Sequence, residues 1–192
     1  MRTQERFLDA SAEEFARHGF VGANLQRISA QAGMTKGALY GHFSSKEALA
    51  AVFTSAFDTG WRELFRTIGE SDPPIAVLHR VTVGFVHRMH TDLRFRAGLR
   101  LVYEEASARD TAPQAVTDLT AELTRLVTAA QDRAELAATH SPEVLGSMFL
   151  SLMLGMGYTA PIDASPAHGT RQVCQVWQLL EAGEEKAGER VA

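Results

Sequence analysis

One cysteine, Cys174, is present in 192 residues, so an internal disulfide is excluded and a buried, chemically quiet thiol is the expected role. Prolines number six, and the Val/Ile/Thr/Tyr alternation that marks strands is scarce, so an all-α chain is expected. A broad basic field is missing as well. The formal charge is −4, and residues 1–50 carry six Lys/Arg against five Asp/Glu, so contact with nucleic acid would rest on a few placed cations. The start, MRTQERFLDA, has no signal-peptide apolar run, and a cytoplasmic protein is expected. Val144 to Ile162 has no charge, but three glycines, two serines and a proline interrupt it, which favours burial in protein over a membrane. HExxH, GxSxG and P-loop motifs are all absent, so no enzymatic activity and no cofactor are predicted.

What is present is helical periodicity. Phe7, Leu8, Ala12, Phe15 and Ala16 define a first helix over residues 3–18, closed by His18-Gly19. Asn24 is an N-cap for a short second helix ending at Gly33, and Thr35 is one for a third beginning at Lys36, with Leu39 and Phe43 facing inward. Ser44 to Glu47 reads S-x-x-E, the capping box, opening a fourth helix through Phe65. GESDPP at 69–74 breaks it. Further helices are predicted over Ile75–Met89, through Phe95–Ala106, after Pro113, from Pro142 and through Trp177, nine in all. The last two are apolar over more than one face. Met148, Leu152, Met156, Val173, Trp177 and Leu180 are therefore the candidate dimer interface.

Two short helices joined by a Gly-containing turn form a helix-turn-helix, whose second helix enters the DNA major groove. The stretch that carries the third helix, TKGALYGHF at 35–43, has two glycines, each costing about 1 kcal/mol relative to alanine. Close approach to a duplex explains them. Thr35, Lys36, Tyr40 and His42 supply donors for phosphates or base edges.

The stretch AGMTKGALYGHFSSKEAL, Ala32 to Leu49, resembles the hallmark of TetR-family transcriptional regulators. That resemblance implies an N-terminal DNA-binding domain over 1–48 and a helical effector-binding and dimerisation domain over 49–192. It implies a repressor that binds a pseudo-palindromic operator as a homodimer and is released by a small molecule. By the family pattern, Thr35, Lys36, Gly37, Ala38, Tyr40, His42 and Lys46 are positions of DNA contact, supported by Gln26 and Arg27, with Arg2 and Arg6 adding phosphate contacts from the first helix. Trp61, Phe85, Met89, Leu99, Tyr103, Phe149 and Met153 are candidate walls of an apolar effector pocket. Helix four, joining Lys46 to Trp61, is the expected transmission element.

FRAGLRLVYEEA at Phe95–Ala106 and CQVWQLLEAG at Cys174–Gly183 resemble segments of the gamma-butyrolactone autoregulator receptors. Those receptors carry a tryptophan in helix seven that packs on the lactone, whereas Pro113 to His140 contains no Trp, Tyr or Phe. The resemblance therefore extends equally to receptor-like homologues with antibiotic-like effectors. The alternative is a helical ligand-binding or metal-sensing dimer without an operator, with His79, His87, His90 and Glu104 or Glu105 as the metal candidates.

Overall fold

The computed structural model describes residues 2–66, 69, 72–159 and 169–178, and among these the chain forms nine helices and no strand. In chain order they are α1 (Arg2–Gly22), α2 (Leu25–Gln31), α3 (Lys36–His42), α4 (Lys46–Arg66), α5 (Pro74–Thr91), α6 (Leu93–Ala108), α7 (Gln114–Asp132), α8 (Pro142–Thr159) and α9 (169–178). No helix among the described residues is long and apolar enough to cross a membrane.

Two helix ends differ from the sequence expectation. Gly19 interrupts α1 with φ 65° and ψ −171°, and the helix then resumes to Gly22. The left-handed φ is the one a helix-ending glycine also adopts, which is why the local sequence reads as a stop. At the start of α4 the capping hydroxyl is that of Ser45, not Ser44: its Oγ accepts the Ala48 N–H at 3.1 Å. Glu47 hydrogen-bonds back to Ser45, which holds its carboxyl below the ordinary range.

The chain divides into two compact units. The first draws on residues 1–61 and 92–116. Its core gathers Phe7, Phe15, Ile28, Leu39, Phe43, Leu49, Phe53 and Leu101, all buried, and each large apolar side chain withdrawn from water contributes about 1.5–3 kcal/mol. Phe15 meets Phe53 edge-on at 5.5 Å, and Phe57 tilts against Phe95 at 4.9 Å. At Gly98 the backbone of α6 lies directly on α4, where a Cβ would overlap the Phe53 carbonyl oxygen. Along α1, the Arg94 guanidinium of α6 reaches Glu5 at 2.6 Å and Asp9 at 2.7 Å.

The second unit draws on residues 62–91 and 117–192. Val77, Leu78, Val81, Phe85, Val86 and Met89 of α5 are buried in it, as are Leu119, Leu123 and Val127 of α7 and Phe149 and Met153 of α8. α8 presses its backbone on its neighbours where it has no side chains: a Cβ on Gly146 would overlap Thr124 of α7, and one on Gly157 would sit 2.9 Å from the Met89 side chain. Trp177 anchors α9, stacked on Phe149 at 5.2 Å and edge-on to His79 at 5.2 Å.

Candidate nucleic-acid interface

The helix-turn-helix is assembled from short-range capping. Asn24 Oδ1 accepts the Gln26 N–H at 2.8 Å and the Arg27 N–H at 3.4 Å, opening α2. Gly33, with φ 70°, turns the chain after α2, and the Met34 N–H is donated back to Ser29 O at 2.9 Å. Thr35 then opens α3, its Oγ1 accepting the Ala38 N–H at 3.1 Å. A cap of this type contributes about 1 kcal/mol, which matters for a seven-residue helix that is not stable alone.

Leu39 and Phe43 fix α3 to the core, and every other position from Thr35 to His42 is exposed. The exposed set unites Thr35, Lys36, Gly37, Ala38, Tyr40 and His42, the residues expected at DNA. Lys36 Nζ lies 5.7 Å from the Tyr40 ring centroid, and the His42 ring tilts against Phe7 at 5.8 Å. Among the described residues nothing crowds the glycines of this helix. A Cβ on Gly41 would meet nothing within 4 Å, and one on Gly37 only the Thr35 hydroxyl at 3.8 Å. Among the described residues the space beside both glycines is open.

The flanking cations are partly committed within the fold. Arg27 Nε and Nη2 donate to Glu14 Oε1 at 2.8 and 2.5 Å, and Nη2 also reaches Gly22 O at 3.0 Å. The Glu14 side chain is only 6% exposed. Burial pushes its carboxyl upward, but the Arg27 hydrogen bonds, the Asn24 N–H and the neighbouring positive charges together hold it below the ordinary value. Lys46 Nζ donates to Ala23 O at 2.6 Å and stands 4.9 Å from the Phe20 ring centroid, so one of its three donors ties the start of α4 to the turn before α2. Gln26 is exposed, and Arg6 lies over Gly33, where an added Cβ would be 2.8 Å from its guanidinium.

Of the residues expected at an effector pocket, Trp61, Leu99 and Tyr103 belong to the first unit. Trp61 and Leu99 are buried, and the Trp61 indole N–H is donated to Asp58 at 3.1 Å. Tyr103 is half-buried, and burial raises its hydroxyl pKa. Phe85, Met89, Phe149 and Met153 are all buried in the second unit. Of the residues expected at a dimer interface, Met148 is 40% exposed, on the same side of α8 as Val144 at 62%. Leu152 and Met156 line a groove of about 550 Å³ with Ser151, Gly155, Gln172, Gln175 and Val176. Val173 and Trp177 are covered within their own subunit, and Leu180 lies outside the described residues. Among the described residues no group of three or more His, Cys, Asp or Glu is placed to hold a metal ion. The sequence reading passed over Arg94, Arg100 and the role of Glu104 at α1, although the i,i+4 spacing of Arg100 and Glu104 was visible.

Residues 7–52 match the family model of bacterial regulatory proteins of the tetR family. The family match thus covers the helix-turn-helix part of the chain. Its relatives include the A-factor receptor protein of Streptomyces griseus, 27% identical over 181 residues, covering 94% of this chain and 63% of that one. The HTH-type transcriptional regulator SrpR of Pseudomonas putida is 44% identical over 54 residues, covering 28% of this chain and 25% of that one. The chain thus spans less than two thirds of the length of these relatives. Among solved structures, a gamma-butyrolactone receptor described as ArpA-like superimposes with a TM-score of 0.78 at 25% identity, covering 94% of this chain and 87% of that one. The TetR-family protein CprB from Streptomyces coelicolor, in complex with its biological operator sequence, gives 0.77 at 25% identity, covering 93% and 86%. The similarity to the gamma-butyrolactone receptors runs over nearly all of this chain, well beyond the helix-turn-helix.

Proposed function

We propose that this chain is a tetR-family transcriptional repressor that binds a pseudo-palindromic operator as a homodimer and is released by a small apolar effector. The observation that carries the reading is α3: an exposed helix face of Thr35, Lys36, Gly37, Ala38, Tyr40 and His42 with two glycines that no contact among the described residues requires. In the major groove, missing Cβ atoms bring the helix backbone toward the bases, Ala38 offers a methyl to thymine, and Lys36, Tyr40 and His42 reach phosphates or base edges. Gln26, Arg27 and the remaining donors of Lys46 flank that face.

Reading is assigned to residues 1–48 and control to residues 49–192. Dimerisation is assigned to the α8 side bearing Val144, Met148, Leu152 and Met156, an apolar row on a helix whose Phe149 and Met153 are buried in its own subunit. Two subunits would present their α3 helices about 34–36 Å apart, one turn of the duplex. For the effector, Phe85, Met89, Phe149 and Met153 supply apolar walls, and a gamma-butyrolactone or an antibiotic-like compound is the class that fits the relatives. An effector coupling of about 1–3 kcal/mol would change operator affinity 5- to 150-fold.

The deciding experiment is fluorescence anisotropy with DNA from upstream of the protein's own gene and its neighbours, at two salt concentrations, against scrambled DNA. Tight, salt-sensitive, sequence-dependent binding to a palindromic fragment is expected. Binding no better than to scrambled DNA would overturn the reading in favour of a ligand-binding dimer without an operator.

A further inference from the structure

In an unbroken α-helix the Phe20 N–H would be donated to the Ala16 carbonyl four residues earlier. Gly19 removes that bond, since φ 65° and ψ −171° swing the peptide joining it to Phe20 out of helical orientation. Both stranded groups are taken up by α6. The Phe20 N–H is donated to Glu104 Oε2 at 2.5 Å, and Ala16 O accepts from Arg100 Nη1 at 2.9 Å. Arg100 Nε closes the set by donating to Glu104 Oε1 at 2.8 Å. An ion pair one turn apart on α6 therefore stands in for a single missing hydrogen bond of α1. The fit is specific: a Cβ on Gly19 would overlap the Glu104 carboxylate.

The segment just beyond this splice holds the DNA-reading helices. Lys46 Nζ, at the start of α4, donates to Ala23 O and lies over the Phe20 ring, and the Asn24 N–H is donated to Glu14 at 2.9 Å. Asn24 in turn caps α2. Residues 20–24 are thus the strut from which both α2 and the start of α4 are set.

We propose that Arg100 and Glu104 are positioning residues for operator binding: by bridging the break at Gly19 they fix the angle at which residues 20–24 leave α1, and so the presentation of α3. Neither side chain touches DNA. A shift of α6 re-aims the reading face through this bridge, a route additional to α4. The consequence for DNA rests on the proposed operator function, whereas the consequence for α3 in the free protein does not.

The test compares Glu104→Ala and Glu104→Gln with wild type, by amide exchange and backbone amide chemical shifts of the free full-length protein, and by operator titration at several salt concentrations. For Glu104→Ala the Phe20 amide should exchange at least about tenfold faster, as expected when a local opening loses its protecting bond. Shifts should spread to the α3 amides, and operator affinity should fall about tenfold, within the range of allosteric couplings, at an unchanged log-log salt slope. Glu104→Gln keeps a carbonyl acceptor for Phe20 and should restore most of the exchange protection and of the operator affinity; if Glu104→Ala does not fold, Arg100→Ala, which takes the donor from Ala16 O, carries the readouts at α3 and at the operator. In the alanine variants, shifts confined to residues 16–23 and 100–104, or operator affinity within about twofold of wild type, would overturn the proposal. So would a salt slope reduced by about 0.9, which would mean that a phosphate contact had been lost. If wild type shows no operator preference, the operator reading fails, and the spread or confinement of the α3 shifts still decides the positioning role.

Discussion

The Thr82 hydroxyl accepts the indole N–H of Trp177 at 2.8 Å while bonding the Leu78 and His79 carbonyls of its own helix, each at 2.9 Å. Thr82 is fully buried and Trp177 is 3% exposed, so no water replaces either partner. Thr82→Val should leave a buried N–H unsatisfied and destabilise the protein by about 1–3 kcal/mol, while Thr82→Ser should recover most of the loss. Urea unfolding followed by tryptophan fluorescence measures both. Equal midpoints for valine and serine variants would contradict the bond's role.

Helix α3 should show stability and binding moving in opposite directions. Gly37→Ala and Gly41→Ala have space for the added methyl and remove a poor helix former, so each should raise or leave unchanged the unfolding free energy, by up to about 1 kcal/mol. Each should also weaken operator binding, because the methyl occupies room kept for the duplex. Thermal melts and anisotropy on the same preparations test the pair of effects, and a variant that gains stability at full operator affinity would refute the reason given for the glycines.

Acid should weaken the first unit through Glu14. Its folded-state pKa lies below the ordinary 4.5, so as the pH falls the unfolded chain takes up the proton first. The stabilisation is complete above about 4.5 and is lost as the pH falls through the folded value. Glu14→Gln removes that dependence, so its urea midpoint should decline less between pH 6 and the acid limit than the wild-type midpoint does. Parallel declines would show that other groups govern acid sensitivity.

On α8, Met148→Asp places a charge in the exposed apolar row without disturbing the buried Phe149 and Met153. Monomer should predominate by light scattering, with helicity retained and operator affinity reduced because one half-site contact set is lost. A dimer that persists unchanged would move the interface elsewhere.

Much of this arrangement is legible locally because helix caps act within three or four residues. Asn24, Gly33 and Thr35 announce α2 and α3 in sequence and do in space what their types dictate. Gly19 is the instructive failure: a glycine after a histidine looks the same whether a helix stops or is spliced, and the group that decides, Glu104, is 84 positions beyond Phe20. The adjacent serines at 44 and 45 fail for a milder reason, since both suit a cap and only the first turn of α4 selects one. Trp177 shows a third limit. Periodicity puts it on an apolar face, but only the fold tells that α5 and α8 cover it.

The backbone contact at Gly98 makes α6 a lever with a fixed fulcrum. Arg94 and Glu104 grip α1 on either side of it, about 6 and 9 Å along the axis at the usual rise per residue. A tilt of α6 about that point moves the two grips in opposite senses, and about ten degrees displaces the Glu104 end by roughly 1.5 Å, beyond what a hydrogen bond tolerates. Small strains are resisted at both ends and larger ones break one grip outright, so the reading head would answer α6 as a latch does, by a threshold and not in proportion.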